Sequence, residues 1–303
     1  MSRIIVAVNK TLPRNGKAEL DTGQFYLFEP LLELGHQVYF FDTVSPINPD
    51  FDEAVNILEP DLIWCCFTGN PYITPFEPWD SIQRLTKEGK VKTFNWFCDD
   101  TWRFNDFSSK ACHLFNYCST PEPRYIEKFK DIGYNNILLG GWCPNSNYYP
   151  NNEYDEKDIE LSFVGGMNKD REDFFSRIDI PVTTAGNLDI KDLFKFYCRS
   201  KIGVNLSINA NDPEKKTQMK QRIFELAAAN CTVLTEYHES VEEFFNIDTE
   251  IVTFKNTDEF EEKVKYLQAN PKKAKEIANN GRKRFLKDHE SKVRLKNILD
   301  VIL

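Results

Sequence analysis

The sequence predicts an α/β chain built from two successive doubly wound parallel sheets, and three observations carry that prediction. Short β-rich runs alternate with helical stretches from end to end, the mark of strand–helix units laid on a parallel sheet. The chain has 303 residues, a length that favours two cores over one. Residues 144–158, rich in Asn, Tyr, Pro and acidic side chains, interrupt the alternation without a periodic apolar pattern and read as an interdomain linker.

Residues 4–8, Ile-Ile-Val-Ala-Val, form the first buried strand. A polar, glycine-containing loop follows, then an amphipathic helix over 22–34 closed by Gly35, a residue type that tolerates left-handed geometry. The second strand is 37–41, with Asp42 just past its end. Strands at 61–66, 91–97, 113–118 and 136–139 alternate with helices at 51–58, 78–88, 104–111 and 121–132. After the linker the alternation restarts: strand 159–164, helix 169–177, strand 181–184, helix 190–198, strand 202–206 and helix 216–229. Strands at 232–234 and 250–254 precede helices that run to the end. The expected domains are therefore 1–150 and 151–286, followed by an amphipathic terminal helix, 287–303, carrying Val293, Leu295, Ile298, Leu299, Val301 and Ile302 among charges, a pattern that also fits a helix on a membrane surface.

Composition narrows the function classes. Hydrophobic residues at 41% and charged residues at 28% are ordinary for a folded protein. No apolar run reaches the roughly 18–20 residues of a membrane helix, and the N-terminal run is too short for a signal peptide. A net charge of −9 argues against nucleic acid or anionic lipid as partner, yet leaves room for a local basic pocket. The eight cysteines, at 65, 66, 98, 112, 118, 143, 198 and 231, form no CxxC pair and have no histidines at ligand spacing. They read as reduced, buried thiols, with no metal site, in a reducing cytoplasmic compartment.

Three loops of the second half fall at the carboxyl ends of predicted strands, where parallel sheets bind ligands. The first holds Gly165, Gly166 and Arg171: glycines admit a ligand to the backbone, the next helix offers free N–H groups to a phosphate, and Arg171 adds a cation. A tight turn with a solvated arginine reads equally well. The second runs from Lys220-Gln221-Arg222 to Glu225, where cations suited to a diphosphate flank a carboxylate suited to two ribose hydroxyls. The third is the turn Thr184-Ala185-Gly186-Asn187, whose backbone could meet a nucleobase, although most such turns only reverse the chain.

These segments, in this order, resemble the CgeB-type glycosyltransferases, relatives of the group-1 (family 4) enzymes. The resemblance covers Phe163-Val164-Gly165-Gly166 with Arg171, and Lys220-Gln221-Arg222-Ile223-Phe224-Glu225. It continues through Val233-Leu234-Thr235-Glu236, Glu250-Ile251-Val252-Thr253-Phe254 and the tail Gly281-Arg282, His289, Arg294. In the first half Trp96-Phe97-Cys98-Asp99-Asp100 and Gly140-Gly141-Trp142-Cys143-Pro144-Asn145 add to it. It implies a GT-B fold, two Rossmann-like domains facing a cleft, with the last helix crossing back to the first domain. It also implies transfer of a sugar from a nucleoside diphosphate, with retention and with no cofactor beyond the donor. Glu225 matches the glutamate expected on the donor's ribose and Arg171 a cation on its diphosphate, with Lys220 and Arg222 nearby. Two positions depart from the family: Thr217 stands where a second glutamate is common, and Gly166 where a basic residue is common.

The resemblance assigns the acceptor to the first domain, with candidate loops at 10–23, 68–74 and 99–102. Asp99 and Asp100 follow a strand and could orient an acceptor hydroxyl or act as base, or Asp100 could simply cap a helix. Trp102, Trp142 and Tyr72 could stack on sugar faces, while Trp64 and Trp96 read as core and His238 as a surface turn residue. The expected function is hexosyl transfer from a nucleotide donor to a hydroxyl acceptor. A non-catalytic nucleotide-sugar-binding or structural protein is the alternative, kept open by Thr217, and an epimerase on the same fold is a third class.

Overall fold

The computed structural model describes residues 1–14, 17–186, 188–209, 212 and 214–303. Two compact units emerge, Met1–Trp142 with Ser291–Leu303, and Cys143–Glu290. Residues 144–158 thus lie within the second unit. Their tyrosines explain why: Tyr149 is buried against Phe194, and the buried Tyr154 shares a 3.0 Å hydroxyl contact with Thr232.

The first unit carries strands β1 (Arg3–Val8), β2 (Thr11–Arg14), β3 (Lys17–Leu20), β4 (Gln37–Asp42), β5 (Leu62–Cys65), β6 (Lys92–Trp96), β7 (Tyr117–Thr120) and β8 (Ile137–Leu139). Six of them form a parallel sheet in the order β4-β1-β5-β6-β7-β8. Side chains alternate between its faces, as a period of two requires. Ile5, Ala7, Ile63 and Cys65 join one core, and Ile4, Val6, Leu62 and Trp64 the other. The second core is closed by Leu27 and Leu31 and by Leu295, Ile298, Leu299 and Ile302 of the last helix, Ser291–Ile302. Each such side chain contributes roughly 1.5–3 kcal/mol when fully buried. This terminal helix is therefore part of the first unit, and it starts at Ser291 rather than 287.

Two expectations change here. The loop after β1 contains an antiparallel ribbon, β2 with β3. The strand expected from 113 begins at Tyr117, because Cys112–Leu114 is a helical turn.

The second unit carries β9 (Ile159–Val164), β10 (Thr183–Ala185), β11 (Ser200–Asn205), β12 (Thr232–Glu236) and β13 (Val252–Phe254), all parallel, in the order β10-β9-β11-β12-β13. The helix expected from 216 is Gln221–Ala228. Lys220 holds an extended backbone at its cap, and Thr217 pairs with Ile208 in an isolated bridge, so the preceding stretch is unavailable to the helix. Arg282 closes the far end of that helix, its guanidinium donating to the Ala228 and Tyr149 carbonyls. Gly281 lets its own helix, Pro271–Arg284, approach closely: a Cβ there would sit 2.5 Å from the Glu250 carbonyl oxygen. Among the described residues, no helix is long and apolar enough to cross a membrane.

Candidate functional site

In an open parallel sheet a crevice forms where neighbouring strands send their connections to opposite sides. In the second unit that point lies between β9 and β11, since the chain passes from β9 outward to β10 and returns on the other side. The predicted loops gather there.

Asn168 caps the helix Lys169–Ser176, its side chain accepting the Arg171 N–H at 3.1 Å. The Arg171 guanidinium turns back to donate to the Gly166 carbonyl. Arg222, in the first turn of its helix, donates from Nη1 to Asn205 Oδ1 at 3.1 Å. Both guanidinium carbons lie over the Phe163 ring, 5.3 and 4.8 Å from its centroid. Gly165 is what lets them meet. Its φ is +155°, and a Cβ would stand 2.8 Å from Arg222 Nη2 and 3.1 Å from Arg171 Nη1.

The hydrogen-bond acceptors of this pair are neutral oxygens, and the Asp170 carboxylate attracts Arg171 without a hydrogen bond to it. Burial, and then the charge of Arg222, lower the pKa of Arg171. Arg222 Nε is buried without a hydrogen-bond partner. Two cations held together over a glycine, one with a spare donor, form a site that favours an anion.

Gly166 has open space where a side chain would be, and Gly186 lies across from the Gly165 carbonyl, 3.5 Å from a Cβ at that position. Asn187 of the same turn lies outside the described residues. Lys220 sits at the cap of the Arg222 helix. Glu225 is buried one turn farther along, and Gln221 Nε2 donates to its Oε1 at 2.7 Å. The buried Tyr197 phenol links these groups: burial and then the Glu225 charge push its pKa up, while Arg222 pulls it down. The structure thus brings Gly165, Gly166, Gly186, Arg171 and Arg222 together, with Glu225 and Lys220 on the same helix segment as Arg222.

Sequence reasoning gives no role to the groups that hold this arrangement, although Glu236 stands within the family resemblance. Buried Asn205, at the end of β11, donates to Ser207 Oγ at 3.1 Å and Thr235 Oγ1 at 2.9 Å, which leaves Oδ1 facing Arg222. Glu236, at the end of β12, accepts the Ser207 N–H at 2.8 Å. Burial raises its pKa, while the Ser207 and Ile208 N–H groups and the Lys220 charge pull it down. A polar residue closing an apolar strand was the available signal. His238, expected in an exposed turn, is buried at 3% exposure beside the helical turn Glu239–Glu243.

The corresponding edge of the first unit differs. Asp100 lies in the first turn of the short helix Asp100–Arg103 with no exposed surface, whereas Asp99, at the cap, is half-buried. Burial pushes the Asp100 carboxyl up to about 7; the hydroxyls of Ser108 and Thr120 oppose the shift, and the charges of Asp99 and Glu122 add to it. Loop 68–74 is fastened by Glu77, which accepts from the Thr68 and Gly69 N–H groups, the Thr74 hydroxyl and Trp79 Nε1. Tyr72 at its tip is 97% exposed. Trp64 and Trp96 are core, and Trp142 stacks on Trp96 with centroids 4.8 Å apart. Among the described residues, no group of three or more His, Cys, Asp or Glu side chains could hold a metal ion.

Residues 152–300 match the family described as "Glycosyl transferase-like". No curated protein sequence matches the chain. Solved structures resemble it over nearly its whole length. A glycosyltransferase from Rickettsia africae ESF-5 shares 13% identity at a TM-score of 0.65, covering 99% of this chain and 97% of that one. The sucrose-phosphate synthase of Thermosynechococcus elongatus shares 11% at 0.66, covering 99% and 98%. HepE of Anabaena, in complex with UDP-glucose, shares 10% at 0.63, covering 99% of each. At such identities the likeness establishes the fold, two Rossmann-like domains of the GT-B type.

Proposed function

We propose that the chain transfers a hexose from a nucleoside-diphosphate sugar to a hydroxyl acceptor, with retention at the anomeric carbon. The observation that carries this reading is the pair of guanidinium groups held over Gly165 at the switch point of the second sheet. The donor's diphosphate accepts from Arg171, Arg222 and the backbone beside Gly165 and Gly166, with Lys220 adding charge. Sugar transfer leaves negative charge on the departing diphosphate, and fixed cations stabilise it most as that charge develops. Glu225 takes the ribose hydroxyls in place of the Gln221 amide, and the turn at Gly186 borders the base. The family match and a structural neighbour solved with UDP-glucose support a uridine diphosphate hexose as donor class.

On the acceptor side, half-buried Asp99 receives the hydroxyl proton, and enclosed Asp100 holds the segment behind it. No cofactor beyond the donor enters this scheme.

The test is a melting-temperature screen against nucleoside diphosphates and their sugar conjugates, with wild type beside Glu225→Ala and Arg222→Ala. A ligand bound only by the folded state raises the melting temperature. Stabilisation by one nucleotide family, reduced in both variants and followed by release of nucleoside diphosphate on turnover, is the expected result. Absence of any shift at millimolar ligand would overturn the donor site. A shift without turnover against an acceptor panel would favour the binding protein over the enzyme.

A further inference from the structure

Cys66 and Cys98, just beyond the carboxyl ends of β5 and β6, bring their sulfurs to 3.6 Å. Trp142 Nε1 donates to the Cys98 sulfur at 3.1 Å. Of the eight free cysteines only Cys98 is not fully buried. Cys118 contacts a backbone carbonyl and the Tyr134 hydroxyl, and the fully buried Cys231 contacts two backbone carbonyls and the Lys157 ammonium, so neither of these sets sulfur against sulfur.

We propose that Cys98 is a site of oxidative modification, attacking a peroxide and resolving to a disulfide with Cys66. The indole N–H aimed at the Cys98 sulfur fixes that side chain and offers a hydrogen bond to it as attack begins. Cys66 is buried whereas Cys98 is half-buried, so peroxide reaches Cys98 first and Cys66 is the resolving partner. In the first step the Cys98 thiolate displaces hydroxide from hydrogen peroxide and becomes a sulfenic acid. In the second the Cys66 sulfur attacks that sulfenic sulfur, and its proton leaves with the departing hydroxide as water. Two thiols lose two electrons in all and one peroxide becomes two waters.

The sulfurs must close from 3.6 Å to the roughly 2.05 Å of a disulfide. Such a movement strains the Trp142 contact and draws on the backbone next to Asp99 and Asp100. The device therefore lies beside the segment given to the acceptor, yet its chemistry does not depend on that assignment.

The folded protein is exposed to a small excess of hydrogen peroxide, unreacted thiols are blocked with N-ethylmaleimide under denaturing conditions, and peptides are weighed. The expected product is one crosslink, Cys66 to Cys98, two mass units lighter than the two thiols, reversed by dithiothreitol. Cys66→Ser should leave a Cys98 sulfenic acid that dimedone traps; Cys98→Ser should remove both products. Trp142→Phe keeps the stack on Trp96 but removes the donor, and should slow alkylation of Cys98 by about tenfold. Circular dichroism and melting curves accompany each variant, and the wild-type crosslink can be read even if a variant fails to fold. Oxidation at other cysteines first, or a folded protein whose thiols all survive peroxide that oxidises the unfolded chain, would overturn the proposal.

Discussion

The two sheets follow the same winding rule, each with its first strand flanked by its second and third, and yet their carboxyl edges carry opposite chemistry. At the second unit's edge two arginines converge on a glycine with neutral partners. At the first unit's edge a carboxyl with no exposed surface stands among two other acids, near two touching thiols. Winding places the loops of each sheet at its carboxyl edge, and under the proposed function the residues there decide which substrate each edge takes. The comparison can be broken at either edge.

The largest effect should come from Asp100. Its carboxyl is raised to about 7 in the folded chain, from an unfolded value near 3.8. Between those values the folded protein holds a proton that the unfolded chain has released. Stability therefore falls as pH rises through that window and levels off above about 7. Three pH units correspond to about 4 kcal/mol as an upper figure. Asp100→Asn stays neutral, so urea unfolding should show it more stable than wild type at pH 8 and close to it at pH 4.5. Equal pH slopes for the two proteins would mean that Asp100 ionises freely and that the first edge is not an acidic enclosure.

Removing a cation from the other edge should act on binding instead. Arg222→Ala deletes one guanidinium of the pair and should weaken nucleoside diphosphate binding by about 10–100-fold, the range of a charged hydrogen bond. Without ligand the change in stability should be small, because relief of repulsion with Arg171 offsets the donor lost to Asn205. Titration calorimetry beside a melting curve separates the two. Equal affinity in variant and wild type would remove the diphosphate from this site.

Gly165→Ala is next. It forces a side chain into a left-handed backbone and against both guanidiniums, at a cost of roughly 1–3 kcal/mol. Binding should fall with stability, since the arginines must part; a variant that melts earlier but binds normally would show that the glycine serves only the turn.

These predictions also show how far the sequence could be read. The alternation of apolar runs announced both parallel sheets, because burial on two faces leaves few polar positions in a strand. Gly165, Arg171 and Arg222 stood out because glycine and cations at a strand end are costly unless used. The ribbon β2–β3 escaped notice, since Thr11–Arg14 and Lys17–Leu20 alternate too briefly to separate from loop. The start of the Arg222 helix lies five residues later than its composition suggests, because the bridge between Thr217 and Ile208 is a pairing that no helix propensity records. Asn205 and Glu236 carry little local signal for the same reason: the partners that give them their roles lie 17 to 30 residues away.

The smallest expected effect sharpens the comparison most. Lys215 forms an ion pair with Asp170 at 2.7 Å, a contact closer than the through-space attraction between Asp170 and Arg171. Both side chains are well exposed, 48% and 40%, so solvent screens the bridge and Lys215→Ala should change stability by less than about 0.5 kcal/mol. If the pair held over Gly165 governs anion binding, nucleoside diphosphate affinity should also move by less than about twofold, against the far larger loss in Arg222→Ala. An effect of Lys215→Ala as large as that of Arg222→Ala would mean that total positive charge, rather than the pair held over Gly165, governs binding at this edge.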